Sequence, residues 1–354
     1  MALKPPVEVP QGAIRLNTDS QKLEFYAQDQ WWEMATDVPT LDGGVRGMFG
    51  GGWINSPGTV YTNAIDYITI STAGNAVTFG DLLNKTSYMG AVASRTRGVY
   101  VGGSAPDSET TQNVMQYVTI SSTGDTINFG DLTEQVSAMC GHSNETRAVV
   151  GSGFSPSPSF HGADTINYFT IASTGDAKDF GNLPQTRAQA FAFGNSTRGI
   201  WGGGYYAGSN GTAGGTETLV VLQLATTGTA FEFGKLSSGA TEEIRRGGLS
   251  NSIRGLAAGG NGSAYNNDID SFNIASLGNM EGFGDLLGAV EFLGAVSSPT
   301  RGVFAGGNSG PYSANNIIQY VTIATEGNAV DFGDLVDDTR SAYPRGLSNG
   351  HGGL

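Results

Sequence analysis

The feature that most constrains the fold of this chain is an internal repeat of about 50 residues. A Phe-Gly-Asp-Leu motif or a close variant occurs six times, with its phenylalanines at Phe79, Phe129, Phe180, Phe233, Phe283 and Phe332. A second motif, an arginine followed by apolar residues and then by glycines, also occurs six times, at Arg46, Arg97, Arg147, Arg198, Arg254 and Arg301. Six copies of both motifs predict six structural units that bury their apolar faces against one another.

One repeat contains four segments that are typical of short β-strands. Residues 97–101 are apolar and end at a diglycine, and residues 115–120 are rich in Val, Ile, Thr and Tyr. Residues 121–125 predict a hairpin turn with a glycine at positive φ, followed by a strand over 126–132. The fourth strand, 137–143, is rich in small residues. No segment has a sustained apolar period of 3.6 residues, so the chain is expected to be all-β and nearly free of helices.

Four-stranded units at this period predict a six-bladed β-propeller over residues 44–354. The small-residue strand suits the crowded innermost position of a blade, and the aromatic strands suit the wider outer positions. The first repeat has no small-residue strand before Arg46, whereas the last is followed by one at 341–349. We therefore expect this C-terminal strand to complete the first blade and close the ring, with Pro344 at an unpaired edge.

Composition excludes several classes of function. The chain has 18 Lys and Arg against 32 Asp and Glu, and this net charge of -14 argues against a nucleic-acid partner. No apolar run is long enough to span a membrane, and the first ten residues do not resemble a secretory signal. Cys140 is the single cysteine and there are only three histidines, so we expect no internal disulfide, no metal site and no cofactor.

Residues 1–43 lie outside the repeat and predict a separate arm. Residues 1–11 are proline-rich and expected to be extended, and residues 12–34 predict a small β-meander. So small a sheet can hardly bury its aromatic residues alone. We expect them to mediate attachment or oligomerisation, although docking on the propeller is the alternative; these residues are Phe25, Tyr26, Trp31 and Trp32.

The repeats offer no evident catalytic constellation. His142, His161 and His351 lie in different repeats, and no acid can be paired with them to act in catalysis. The arginine of each repeat is expected to be structural, donating to backbone carbonyls or to one of the acids Asp81, Asp131, Asp285 and Asp334. We therefore expect a protein that is not an enzyme.

Function is expected where the repeats differ, in the loops after the diglycines. These loops are predicted to emerge on one face of the propeller and to bind a ligand or partner there through aromatic and polar side chains. The residues proposed for this face are Trp53, Tyr61, Phe160, His161, Tyr205, Tyr206, Tyr265 and Tyr312. The alternative is that several of these side chains pack within their own loops. Arg245, Arg246 and Arg345 interrupt innermost strands and suggest an anion site at the channel mouth.

The order of strands resembles kelch-type propellers, and residues 182–187 are similar to the link into a kelch inner strand. Phe-Gly-Asp-Leu stands where kelch repeats usually carry Trp. The repeats written Thr-Ile-x-x-Thr-Gly-Asn/Asp-x-x-x-Phe-Gly-Asp-Leu and Thr-Arg-Gly-Val-Phe-x-Gly-Gly resemble virion proteins of tailed phages, particularly cyanophages. The N-terminal pattern Gly-x-Ile-Arg-x-Asn-Thr…Phe…Trp is similar to a module near the attachment ends of phage tail-fibre proteins. The Ser-x-Asp-x-Gly-x-x-Trp boxes of six-bladed sialidases are absent.

This resemblance implies a non-enzymatic virion protein that is assembled in the host cytoplasm. The expected role is that of a tail-fibre or receptor-binding component, with residues 1–43 bound to other virion proteins and the loop face turned to a host glycan or protein. A homo-oligomer is expected, with a trimer favoured. The alternatives are a capsid-decorating protein, a kelch-like interaction adaptor and, last, a glycan-active enzyme.

Overall fold

The computed structural model describes residues 9–17, 22–33, 45–54, 60–105, 111–156, 161–207, 213–237, 244–310, 314–336 and 344–354. These residues form β-strands joined by turns and contain no helix, which confirms the all-β prediction. In particular, they include no helix with the length and apolar character needed to cross a membrane. The chain divides into two compact units, Met1–Gly43 and Gly44–Leu354.

The first unit contains the small antiparallel meander that the sequence predicted. Its strands are β1 (Ile14–Asn17), β2 (Lys22–Ala27) and β3 (Gln30–Glu33), and β2 lies between the other two. The register places Ile14 opposite Phe25, and Phe25 opposite Trp32. Residues that alternate along a strand lie on opposite faces, so these three side chains share one face of the sheet.

The second unit contains six antiparallel sheets, numbered here in chain order. Each sheet has four main strands, and the strands with their bounds are as follows. Sheet 1 is formed by β32 (Arg345–Ser348), β4 (Arg46–Gly50), β7 (Ala64–Thr69) and β8 (Val77–Asp81). Sheet 2 is formed by β9 (Gly90–Ala93), β10 (Arg97–Val101), β11 (Val114–Thr119) and β12 (Ile127–Asp131). Sheet 3 is formed by β13 (Cys140–Ser143), β14 (Arg147–Gly151), β16 (His161–Thr170) and β17 (Lys178–Arg187), with the short β15 (Phe154–Ser155) also paired to β16.

The remaining three sheets follow the same order of strands. Sheet 4 is formed by β18 (Phe191–Gly194), β19 (Arg198–Gly202), β22 (Thr218–Gln223) and β23 (Phe231–Lys235). Sheet 5 is formed by β24 (Gly247–Ser250), β25 (Arg254–Ala258), β26 (Asp268–Asn273) and β27 (Glu281–Asp285). Sheet 6 is formed by β28 (Gly294–Ser297), β29 (Arg301–Ala305), β30 (Ile317–Thr322) and β31 (Val330–Asp334). Two short pairs lie in loops: β5 (Trp53–Ile54) with β6 (Val60–Tyr61), and β20 (Tyr205–Ala207) with β21 (Ala213–Gly215).

The first strands of the six sheets, termed here the inner strands, contact one another in a closed cycle. Strands β9, β13, β18, β24 and β28 each contact the next in this series, and β32 contacts both β28 and β9. Strand β32 also pairs with β4, with Leu347 opposite Met48. The last strand of the chain therefore belongs to the sheet of the first repeat, and Pro344 lies just outside it.

The Phe-Gly-Asp motif provides a contact between neighbouring sheets. A Cβ atom at Gly80 would overlap the carbonyl oxygen of Gly124, in the hairpin turn of sheet 2. The Gly124 N–H donates to Phe79 O at 2.9 Å. The same contact joins Gly333 of sheet 6 to the turn at Gly74 of sheet 1. The motif therefore retains glycine because the backbone of the next sheet occupies the place of a side chain.

The repeated arginines bind backbone carbonyls of the following sheet. Arg97 Nη1 donates to Ile171 O at 3.1 Å and to Ala172 O at 2.8 Å, and its guanidinium lies 4.7 Å from the ring centroid of Tyr117. Arg301 of sheet 6 makes the equivalent bonds to Ile70 and Ser71 of sheet 1. The prediction of backbone acceptors is confirmed. The alternative acceptors Asp81, Asp131, Asp285 and Asp334 receive no hydrogen bond from these arginines within the described ranges.

The apolar core is divided into clusters between adjacent sheets. In one of them, Val99 and Phe129 of sheet 2 pack with Phe169 of sheet 3, and the centroids of the two phenylalanine rings are 5.1 Å apart. Burial on both faces of the sheets explains why apolar residues do not alternate with polar ones in the third strands.

Candidate functional site at the diglycine end of the sheets

One end of the sheets, here called the diglycine end, carries the loops that follow the second strands. These loops are tied to the segments that lead into the inner strands. Isolated bridges join Ser87 to Ser104 in sheet 2 and Glu291 to Asn308 in sheet 6, with equivalents in the sheets between. The diglycine end therefore has two rows of loops held in register by backbone hydrogen bonds.

The aromatic residues that the sequence placed on this face lie in separate loop contacts. Trp53 and Tyr61 are half-buried and directly opposite each other in the β5–β6 pair. Tyr205 lies in β20, and its ring centroid is 6.0 Å from that of Phe154 in the neighbouring sheet. These contacts agree with the alternative that loop aromatics pack partly against their own surroundings.

The other proposed residues of this face are more scattered. Tyr206 is half-buried in β20. Tyr265 forms a bridge with Asn261, and burial together with the nearby Glu291 raises the pKa of its hydroxyl. His161 is the first residue of β16, whereas Phe160 and Tyr312 lie outside the described residues.

Sequence reasoning missed a second group at this end, the residues two positions before the inner strands. Five of them have a left-handed backbone with φ between 56° and 66°, and they are Tyr88, Ala138, Gln189, Arg245 and Phe292. Non-glycine residues seldom adopt this conformation, so its recurrence at the same position in five sheets shows that the segments leading into the inner strands share one backbone turn. The N–H of each of the last four donates to the carbonyl of the one before it, at 2.7–3.0 Å. The result is a chain of backbone hydrogen bonds from sheet 2 to sheet 6.

The larger side chains of this group meet that of Glu291 in what we call the mouth cluster, which consists of Tyr88, Gln189, Arg245, Glu291 and Phe292. Arg245 donates to Gln189 Oε1 at 3.0 Å and to Glu291 Oε2 at 2.9 Å. Its guanidinium lies 4.7 Å from the ring centroid of Phe292, which meets Tyr88 edge to face at 5.8 Å. The predicted Trp53 also packs on Phe292. Phe292 and Glu291 are buried, whereas Tyr88, Gln189 and Arg245 are half-buried. Aromatic, amide and guanidinium groups of this kind can bind a polar ligand such as a sugar.

The opposite ends of the inner strands are joined by serine hydroxyls. These hydroxyls donate to the carbonyl of the preceding sheet at 2.6–2.8 Å, and the pairs are Ser143 with Ala93, Ser250 with Gly194, Ser297 with Ser250 and Ser348 with Ser297. Gly194 has no hydroxyl, and at this junction His142 Nε2 instead bonds Asn195 O at 3.0 Å.

The structure brings His142 and His351 together, although the sequence separated them. Their ring centroids are 5.6 Å apart, and His351 Nε2 bonds Ala93 O at 2.9 Å. Burial, with His351 as a second cause, lowers the pKa of His142 to about 3, and burial also lowers the pKa of His351. Both rings are therefore neutral at pH 7 and serve as hydrogen-bonding groups between sheets.

The described ranges contain no group of three or more His, Cys, Asp or Glu that could hold a metal ion. Cys140 is buried, and burial raises the pKa of its thiol to about 11, so the reactive thiolate is disfavoured.

The aromatic residues predicted for attachment divide between the two faces of the N-terminal sheet. Tyr26 and Trp31 pack edge to face at 5.2 Å, and Arg15 lies 4.0 Å over Trp31 while it forms an ion pair with Glu24. Phe25 and Trp32 lie on the other face, which is exposed. The exposed face also carries three residues that sequence reasoning missed and that strand alternation would have found: Ile14, Leu16 and Leu23.

Comparison with protein-family models finds no match for this chain, and a search of curated protein sequences finds none either.

Proposed function

We propose that the six sheets are the blades of a kelch-like β-propeller that is closed by β32. The closed cycle of inner strands supports this arrangement, as does the pairing of β32 with β4. The arginine bonds support it independently, since they run from each sheet to the next and return from sheet 6 to sheet 1. The role of such a scaffold is to hold the diglycine end rigid.

On this scaffold, we propose that the protein is a non-enzymatic structural component of a phage virion and belongs to a tail fibre that contacts the host. The observation that carries the proposal is the exposed apolar face of the N-terminal sheet. Five large apolar side chains on this face are between 37% and 64% exposed. A surface of this kind is a typical protein–protein contact, and it suits attachment to other virion proteins or to further copies of the chain.

The diglycine end would then contact the host surface. The residues that recur in every repeat hold the sheets together, whereas those of the mouth cluster differ from one repeat to the next. Variation at one end of a constant scaffold is the arrangement expected of a recognition surface. The ligand class proposed for this end is a host-surface glycan, because the half-buried Tyr88, Gln189 and Arg245 provide an aromatic ring, an amide and a guanidinium there.

Immunoelectron microscopy of intact phage particles, with an antibody against residues 44–354, tests this proposal. We expect label at the tail or its fibres, and blocking of adsorption by the purified protein. Absence of label on particles that contain the protein's gene would contradict a virion role.

Capsid decoration is the second candidate, since the exposed face of the N-terminal sheet would serve equally to bind capsid subunits. Label over the capsid in the same experiment would select it. In that case, the purified chain should saturate on capsids and ignore host cells.

A further inference from the structure

The inner strands enclose a central cavity of about 90 Å³ that opens to solvent. Residues of all six inner strands line it, and small residues at the second strand position, such as Ala91 and Gly141, leave the space open. Each inner strand is paired on one side only, so its other edge directs unpaired backbone groups towards the cavity.

The charge of the cavity is opposite to that of the chain. The protein carries a net charge of -14, yet the described residues that line the cavity include Arg246 and Arg345 and no Asp or Glu. The other titratable groups that line it are Cys140, His142 and His351. The histidines are neutral at pH 7 and the thiol is protonated, so the two arginines are the charged groups of this described lining.

Two of the buried arginines of the second unit have partners. Arg246 Nη1 lies 2.6 Å from Asp270 Oδ2, and Arg246 Nη2 donates to two backbone carbonyls. Arg187, away from the cavity, donates to Gly203 O and to both oxygens of Thr218. The charge of Arg246 is thus paired with an acid, and Arg187 has neutral hydrogen-bond acceptors within the protein.

Arg345 differs from both. It is the first residue of β32, directly opposite Gly50, where the equivalent residues of the other sheets are Gly90, Cys140, Phe191, Gly247 and Gly294. Its Nε is buried without a hydrogen-bond partner, as is the Nε of Arg187 and of Arg246, but no residue in the described part of the chain accepts a hydrogen bond from the Arg345 Nη groups either. The Arg345 side chain is half-buried and lines the open cavity, so a ligand that neutralises its charge can reach the guanidinium.

We propose that the central cavity is a binding site for a small oxyanion, a carboxylate or a phosphate-type group, held by Arg345. The planar guanidinium presents two parallel N–H donors, which is the geometry that these anions accept. Arg246 also lines the cavity, but its charge is paired with Asp270, so Arg345 is the group assigned to the anion. The site is independent of the proposed virion role.

Thermal melting of the full-length protein tests this site, with phosphate, sulfate and acetate as probes at constant ionic strength in sodium chloride. We expect at least one probe to raise the melting temperature of the wild type in a saturable manner. Arg345→Met should weaken that response at least tenfold. The variant should also melt no lower than the wild type when no probe is present, because it removes an uncompensated charge.

The matched control is Arg95→Met, which removes an exposed arginine and should leave the response unchanged. If Arg345→Met does not fold, Arg345→Lys keeps the charge but loses the paired donors and should bind each probe more weakly. Crystals soaked in selenate should show an anomalous peak within hydrogen-bond distance of Arg345. A wild type that responds to no probe, or an Arg345→Met response equal to that of the wild type, would overturn the proposal.

Discussion

The inter-sheet arginines can be tested quantitatively through Arg97→Met. This substitution removes two hydrogen bonds from a charged donor to carbonyls of sheet 3 and the contact with the Tyr117 ring. A hydrogen bond to a charged group contributes about 1.5–3 kcal/mol, and a partly exposed cation–π contact contributes about 0.5–1 kcal/mol. One of the two bonds is solvent-exposed, so we expect the free energy of unfolding to fall by about 2–4 kcal/mol.

The control is Arg95→Met, two residues earlier in the chain. Arg95 forms an ion pair with Glu145 in which both side chains are about half exposed, and such a pair contributes about 0–1 kcal/mol. Both substitutions remove one positive charge from the same turn region, so they change the net charge equally. Urea unfolding of the full-length protein at pH 7, followed by tryptophan fluorescence, measures the two losses. Equal losses, or no loss in Arg97→Met, would refute the inter-sheet role of this arginine.

Three further predictions concern other contacts. Gly284→Ala should destabilise the protein by about 1–3 kcal/mol, because the new Cβ would overlap a carbonyl of the next sheet. The control Gly282→Ala lies in open space on the same strand and should be neutral or slightly stabilising. Urea unfolding measures both effects. The pKa of His142 falls from an unfolded value of 6.5 to about 3 in the folded state, so the unfolded chain binds the proton first as pH falls. The free energy of unfolding should therefore decrease by about 2 kcal/mol between pH 8 and pH 5. A His142→Asn variant should lack this component of the pH dependence. The double variant Phe25→Ser/Trp32→Ser should reduce self-association in analytical ultracentrifugation without changing the melting temperature of the second unit. Self-association equal to that of the wild type would exclude the exposed face of the N-terminal sheet as the contact between copies.

The repeat made much of the strand order predictable. Period, turn glycines and β-rich segments are local properties, and they located the four strands of a repeat and the strand that pairs with β4. The prediction that Pro344 lies within that strand was wrong, since β32 begins at Arg345 and Pro344 has no N–H to donate.

The contacts between repeats were less predictable, because they depend on which sheet lies next in space. The guanidinium of Arg97 was expected to donate to a carbonyl or to an acid. Its acceptors are the carbonyls of Ile171 and Ala172 because sheet 3 packs against sheet 2, and this packing cannot be read from the sequence of one repeat. His142 and His351 were treated as unrelated, since they are far apart in the chain and meet only where the inner strands converge. The aromatic loop residues were assigned to one face from their position, but their partners follow from loop conformations that composition does not encode.

The central claim, a closed ring of six sheets, can be tested by a disulfide across β32 and β4. Met48 and Leu347 are directly opposite each other and belong to one buried cluster, so their side chains share a face. Facing residues of antiparallel strands lie about 4.5–5.5 Å apart at Cα, within the range that a disulfide spans. In a Cys140→Ser background, the Met48→Cys/Leu347→Cys variant should form an internal disulfide and migrate faster on non-reducing gels, whereas Met48→Cys/Leu249→Cys should not. A folded Met48→Cys/Leu347→Cys protein that forms no disulfide, or forms it no faster than the control, would contradict ring closure.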